Sequence, residues 1–228
     1  MDGTDSGFEP SILDLPHVQA FIARAHKRSV PAKHTLIHAW DRPKSLYLIL
    51  EGSVSTLLES EDGREVVLSY LNTGEFFGES CMLRRNEPRH QIIRTRSRTL
   101  VAEMSYGGFR ELVKEYPELM FELSAQLASR LCDINQRVGN AAFMDVAGRL
   151  RHALIDLSRK PDAMPHPAGV VVRISRLELA RHVGCSREMA GRVLKKLKQE
   201  GVVHSQGRKI LIYGRGLPST AASLQPAA

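Results

Sequence analysis

Apolar positions along the chain change their period more than once. Between Asp14 and Arg28 they fall on one helical face, Leu15, Val18, Phe21, Ile22 and Ala25, and Pro31 ends the run. From Thr35 to Met104 the texture becomes short runs rich in β-branched residues, at 35–39, 46–51, 53–58, 66–71, 91–96 and 99–104. Asp41-Arg-Pro, Glu51-Gly52, Asp62-Gly63 and Asn72-Thr-Gly74 separate them. Short strands with such turns predict an antiparallel barrel or roll, with Asp62-Gly63 as a hairpin turn.

From Tyr106 to about Ala142 the period returns to that of a helix, and Pro117 fits the first turn of its long part. Leu119, Leu123, Leu127, Leu131, Ile134 and Val138 recur at spacings of three and four and make one apolar stripe. Such a stripe has two outlets, its own roll or a second copy of itself. Its length favours at least partial self-pairing as a two-helix seam. A further helix is expected from Arg149 to Ser158, with Gly139, Asn140 and Gly148 as bend points. Residues 160–169 are Pro-rich and read as a surface loop. Val170–Ile174 reads as a strand, and Val202–Ser205 with Lys209–Tyr213 as a hairpin around Gln206-Gly207-Arg208.

The expected architecture is α+β. Residues 1–108 form a β-roll with an N-terminal helix, 109–142 a dimerisation helix and hinge, and 143–216 a winged helix-turn-helix. Residues 217–228 form a disordered tail.

The helix-turn-helix rests on local signals. Ser175-x-x-Glu178 is a capping box, Leu177, Leu179, Ala180 and Val183 give the first helix an apolar side, and Gly184 supplies the turn. Ser186 caps a second helix whose core face is expected at Met189, Val193, Leu194 and Leu197. That leaves Arg187, Glu188 and Arg192 near the helix start, where base edges are met in this motif, and Lys195 and Lys196 further along for phosphates.

Charge supports the same partner. Between Ser175 and Arg215 stand ten Lys or Arg and three Glu, a surplus of seven that equals the net charge of the whole 228-residue chain. The remainder is neutral, so the positive field that concentrates polyanions belongs to this segment. Composition excludes other classes. The three cysteines are scattered, the nine histidines show no HExxH spacing, and no metal is expected. No apolar run approaches the roughly 20 residues needed to cross a bilayer, and the polar start is unlike a signal peptide, so no membrane partner and a cytoplasmic address are expected. No nucleophile-base constellation is visible, and an enzyme is not expected.

Several stretches resemble the CRP/FNR transcription regulators. Residues 183–197, Val-Gly-Cys-Ser-Arg-Glu-Met-Ala-Gly-Arg-Val-Leu-Lys-Lys-Leu, look like the family's recognition motif, and residues 160–169 like the loop before it. Residues 138–149 are similar to its dimer-helix-to-hinge stretch, and Gly74-Glu-Phe-Phe-Gly78-Glu79 to its phosphate-binding cassette. The resemblance spans about residues 12–215. It implies a cyclic-nucleotide-binding roll, a homodimer, and a winged helix that binds double-stranded DNA at TGTGA-like half-sites. Ser186, Arg187, Glu188, Arg192, Lys195 and Lys196 would be the DNA-binding residues. RNA polymerase is the implied partner of an activator, touched by the loop around Ala163 to Gly169, where Pro165 departs from the family's Thr.

The resemblance also implies a ligand site at Gly78, Glu79, Arg89, His90 and Asn135. In cAMP-responsive members a Gly-Glu pair holds the ribose and phosphate, an Arg-Ser pair completes the phosphate site, and a Thr-Ser pair reads the purine. Here the last two read Arg89-His90 and Ile134-Asn135. Ile134 cannot donate a hydrogen bond to adenine. Residues 89–96 look like the Clp-like branch, and Arg84, Arg85, Arg89, Arg94, Arg96 and Arg98 make the neighbourhood basic. Cyclic di-GMP is therefore expected over cAMP. A redox or gas sensor on the same scaffold, using Cys81 or a His-ligated haem, is the competing reading.

Overall fold

The computed structural model describes residues 11–41, 44–60, 63–83, 91–160 and 162–214. The chain falls into two units, Met1–Ile134 and Asn135–Ala228. The first opens with a 3-10 turn, Ile12–Asp14, followed by α1 (Pro16–Arg24), β1 (His26–Val30), β2 (Thr35–Ile37) and β3 (Ser45–Glu51). Then come β4 (Ser53–Glu59), β5 (Glu65–Asn72), β6 (Phe76–Phe77) and the short α2 (Ser80–Leu83). β7 (Gln91–Thr95), β8 (Thr99–Ser105), α3 (Tyr106–Glu115) and α4 (Glu118–Phe143) complete it, with the end of α4 entering the second unit. The strands form two antiparallel sheets, in the orders β1-β8-β3-β6 and β2-β7-β4-β5.

The expected strands are β2 to β5, β7 and β8; two others were not foreseen. β6 has only two residues. β1 occupies part of the helix expected to reach Arg28. That helix stops at Arg24 with Ala25, the last residue of its apolar face, as an extended C-cap, and His26–Val30 pairs instead with Thr99–Glu103 of β8. As an edge strand with four exposed residues, β1 shows no alternation to read.

The core of the first unit explains the position of α4. Val18, Phe21 and Ile22 of α1 meet Leu46 and Leu48 of β3, Phe76, and Phe109 and Leu112 of α3. Phe21 sits edge-on to Phe76 and Phe109, with ring centroids 5.3 and 6.1 Å away. Leu119 and Leu123 of α4 are buried in the same cluster. Each such side chain contributes roughly 1.5–3 kcal/mol over leaving it in water. The expected single stripe is thus divided. Its first residues pack on the chain's own roll, while Leu131, Ile134 and Val138 are 59%, 42% and 64% exposed. The first outlet is thus taken by the early turns of a helix about 39 Å long, and the later turns leave their apolar residues exposed.

The second unit continues with α5 (Val146–Ser158), β9 (Met164–His166), β10 (Gly169–Arg173), α6 (Arg176–Val183), α7 (Arg187–Gln199), β11 (Val203–Gln206) and β12 (Lys209–Tyr213). Its sheet runs β11-β12-β10-β9. α4 passes straight through Gly139 and Asn140, and the break comes at Met144–Asp145. Asp145 caps α5, accepting from the Gly148 N–H at 2.7 Å, so α5 begins at Val146 and encloses Gly148. The expected Pro-rich loop contains β9, where Pro165 lies on the sheet edge and needs no ladder donor. A Cβ on Gly169 would lie 1.9 Å from the Ile212 carbonyl oxygen, so no side chain fits there.

Trp40 stands on the turn after β2 with φ 71° and is 65% exposed. The His38 N–H donates to Asp41 Oδ2 across this turn at 2.8 Å. Among the described residues no helix is long and apolar enough to cross a membrane.

Candidate functional site

The α6–α7 pair is held by caps at each end. The Glu178 N–H donates to Ser175 Oγ at 3.2 Å and the Ser175 N–H to Glu178 Oε2 at 2.8 Å, closing the capping box. Glu178 also accepts from Arg208 Nη2 at 3.1 Å, which ties the tip of the β11–β12 hairpin to α6. Gly184 ends α6 with φ 70°, in the left-handed region that a C-cap glycine supplies. Ser186 Oγ accepts from the Met189 N–H at 3.1 Å and starts α7. The buried face of α7 is Ala190, Val193, Leu194 and Leu197. Ala190 replaces the expected Met189, which is only half-buried, and Leu177 of α6 is 44% exposed rather than part of the core.

What remains of α7 faces water. Arg187, Glu188, Arg192, Lys195, Lys196 and Lys198 are all exposed, and none pairs with a described side chain. Arginine can fork to guanine, glutamate can accept from cytosine N4, and lysines can neutralise phosphates. Ser186 is exposed as well, but its hydroxyl is already engaged as the cap. In the turn, burial pushes the Cys185 thiol above its ordinary pKa, opposed by the nearby charge of Arg149 and the Ala190 N–H.

The roll presents a different construction. Gly78 has φ 102°, and a Cβ there would lie 2.8 Å from the Ser45 carbonyl oxygen and 3.0 Å from Tyr47 Cδ2. The Tyr106 hydroxyl donates to the Gly78 carbonyl. The turn before it is strapped to α4: the Phe76 N–H donates to Gln126 Oε1 at 2.8 Å, and Gln126 Nε2 to the Gly74 carbonyl at 2.9 Å. One helical turn on, Arg130 donates to the Phe76 carbonyl. Its guanidinium lies 3.8 Å from Glu79 Oε1 and 3.6 Å from Glu75 Oε1. Arg130 was missed by sequence reasoning. The signal was present, since a cation at this spacing shares the helix face of buried Leu119 and Leu123.

Of the expected ligand residues, Gly78 and Glu79 are brought together on this turn. Arg89 and His90 lie outside the described residues, as do Arg84 and Arg85. Asn135 is exposed and belongs to the second unit. The described arginines of the expected basic surface, Arg94, Arg96 and Arg98, are already engaged within the roll. Arg94 makes a bidentate pair with Glu65 at 2.8 and 3.0 Å, and that bond holds its pKa above the ordinary value. Arg96 stacks over the Tyr70 ring, 4.1 Å from its centroid, and Arg98 Nε donates to Ser29 Oγ at 3.1 Å. Among the described residues no group of three or more His, Cys, Asp or Glu could hold a metal ion.

Residues 27–116 match the cyclic nucleotide-binding domain family, and residues 148–215 the Crp-like helix-turn-helix domain family. The chain is 43% identical over 203 residues to the cAMP-activated global transcriptional regulator Vfr of Pseudomonas aeruginosa, covering 88% of this chain and 95% of that one. It is 41% identical over 199 residues to the cAMP-activated global transcriptional regulator CRP of Escherichia coli, covering 87% and 95%. The fold is similar to that of the c-di-GMP responsive global regulator CLP of Xanthomonas campestris, with TM-score 0.80, 40% identity and coverage of 87% and 98%. With a cyclic nucleotide-binding domain at residues 27–116 and a Crp-like helix-turn-helix domain at 148–215, this chain belongs to the CRP/FNR family of DNA-binding transcription regulators.

Proposed function

We propose that the chain is a homodimeric regulator whose affinity for DNA is set by a cyclic nucleotide second messenger, cyclic di-GMP, bound in the roll. The observation that carries this reading is the turn at Gly78 and Glu79 braced by Arg130. Gly78 permits close approach of a phosphate to backbone. Glu79 can accept from a ribose hydroxyl, and Arg130 holds that carboxylate in place. Arg89 supplies the phosphate cation, with His90 and Asn135 completing the site. Cyclic di-GMP is favoured because Ile134 stands where adenine reading needs a donor, and because of the likeness to the c-di-GMP responsive relative. The engaged state of Arg94, Arg96 and Arg98 withdraws the support they lent to that ligand. cAMP is the second reading, favoured by the two cAMP-activated relatives.

Calorimetry with cAMP, cGMP and cyclic di-GMP tests the ligand. Cyclic di-GMP should bind most tightly, and Arg89→Ala should abolish both binding and the ligand's effect on DNA while basal DNA binding persists. A tighter cAMP isotherm overturns the ligand, and unchanged affinity in Arg89→Ala overturns the site.

The dimer is assigned to the exposed half of the α4 stripe, Leu131, Ile134 and Val138. A dimer would place two recognition helices on half-sites roughly 34 Å apart. Leu131→Asp should bury a charge in that seam and weaken self-association by several kcal/mol, read by sedimentation. Wild-type protein sedimenting as a monomer at micromolar concentration, with full DNA affinity, sinks the assignment. The activator role through RNA polymerase is assigned to residues 163–169, now seen to include β9.

A further inference from the structure

The last carbonyls of α6 have no partner inside the helix, as at any helix C-terminus. The N–H groups of Gly184 and Cys185 both turn back to the Ala180 carbonyl, leaving those of His182 and Val183 to be satisfied elsewhere. Arg137 Nη2 donates to the His182 carbonyl at 2.8 Å. Arg149 Nε donates to the Val183 carbonyl at 3.3 Å, and its Nη1 to the Met144 carbonyl at 3.0 Å. Arg137 stands near the end of α4, Met144 in the break after it, and Arg149 in the first turn of α5. All belong to the second unit, as does α6. Two guanidiniums thus close on the negative end of one helix dipole, the placement that favours cations. The charge of Arg149 is also felt at Cys185, one residue before the cap of α7.

We propose that Arg137 and Arg149 are positioning residues for DNA reading: they fasten the turn of the helix-turn-helix to the end of the long helix. Only Gly184 and Cys185 separate the end of α6 from Ser186, so whatever fixes the His182 and Val183 carbonyls fixes the start of α7 and with it Arg187, Glu188 and Arg192. Arg149 bridges the α4–α5 break and the turn, so a change in that break reaches the reading helix through its side chain. Both arginines are half-buried and donate to backbone carbonyls of the turn, unlike the exposed cations of α7. Their role is therefore separable from phosphate contact. The specificity arm of the test rests on DNA binding alone; the ligand arm rests on the nucleotide-controlled reading above.

The test uses the full chain with Arg149→Gln, Arg149→Lys and Arg137→Gln. Affinities are measured by fluorescence anisotropy for a TGTGA-type palindrome and a scrambled duplex across a salt series, with and without saturating cyclic di-GMP or cAMP. Both Gln variants should lose about tenfold in the ratio of specific to scrambled affinity, while the salt slope on scrambled DNA stays that of wild type. Arg149→Lys keeps the charge but cannot fork to two carbonyls, and should fall between. The ligand's effect on specific DNA should shrink to less than about twofold in the Gln variants, with the nucleotide affinity of the DNA-free protein unchanged. An unchanged specificity ratio overturns the proposal. So does a slope reduced by about one unit per arginine, which would make them phosphate contacts. If no nucleotide alters wild-type DNA affinity, the nucleotide-control reading falls and the specificity arm alone decides the clamp. Should Arg149→Gln fail to fold, Arg137→Gln, which leaves the Arg149 bridge in place, decides.

Discussion

Two sets of arginines, one in each unit of this chain, differ in what they have already bound. On β7 and the bend after it, Arg94 is locked to Glu65, Arg96 sits over the Tyr70 ring, and Arg98 reaches Ser29. On α7, Arg187 and Arg192 extend into water with no protein partner among the described residues. By count alone the roll's cations looked like a second basic surface. The difference teaches that a cation's meaning lies in what it has already bound. A guanidinium whose donors are spent on a carboxylate and a ring face stabilises a sheet, and one with bare donors is free to fork to a base or phosphate.

Substitutions in each set should therefore fail in different ways. The largest effect is expected for Glu65→Ala, which leaves Arg94 partly buried without its anion. It should destabilise the roll by about 1–3 kcal/mol, seen as a lower urea midpoint, with the salt dependence of DNA binding unchanged. A shift in salt slope instead would break the distinction. Next, Arg187→Ala should cost about 1–3 kcal/mol of discrimination at one base pair, measured on half-site variants, while the unfolding midpoint stays put. Lys196→Ala should lower affinity for all duplexes alike and flatten the salt slope by about one unit. If both α7 variants lost affinity uniformly, the division between base-reading and phosphate-holding residues would be wrong.

The smallest effect sharpens the same contrast at an exposed pair. Arg24 donates to Glu115 at 2.8 and 2.6 Å, joining α1 to α3, and this bond holds the Glu115 carboxyl below its ordinary pKa. Its stabilisation is present at neutral pH and is lost as pH falls through the folded-state value. Glu115→Gln should slightly flatten the acid limb of a stability-versus-pH curve and leave DNA binding untouched. A large loss at neutral pH would show that this solvated pair does more than its exposure allows.

The DNA-reading unit was legible because its determinants are local. The Ser175–Glu178 box, the Gly184 turn and the Ser186 cap are all specified within a dozen residues. The roll site was half legible. Gly78 and Glu79 were visible as a motif. The steric reason for Gly78 lies in Ser45 and Tyr47, and the brace on Glu79 comes from Arg130, both distant in sequence. The pairing of Arg94 with Glu65 depends on strand order, with β4 standing between the two strands that carry them. The α4 stripe was read with the right period, but periodicity does not say which turns a neighbouring core will claim. Leu119 and Leu123 are claimed because α1, α3 and Phe76 leave an apolar seat for them.

The chain's one tryptophan gives the protein an optical readout of its own. Trp40 sits on the roll at 65% exposure, held on a turn with a left-handed backbone, while the DNA-reading helices carry no indole at all. Its emission should lie at long wavelength and be quenched readily by iodide. Excited selectively at the red edge of the tryptophan band, it reports on the nucleotide-binding unit alone. A change in quenching on adding nucleotide, set beside the response to duplex DNA, would then separate the two binding events in unlabelled protein.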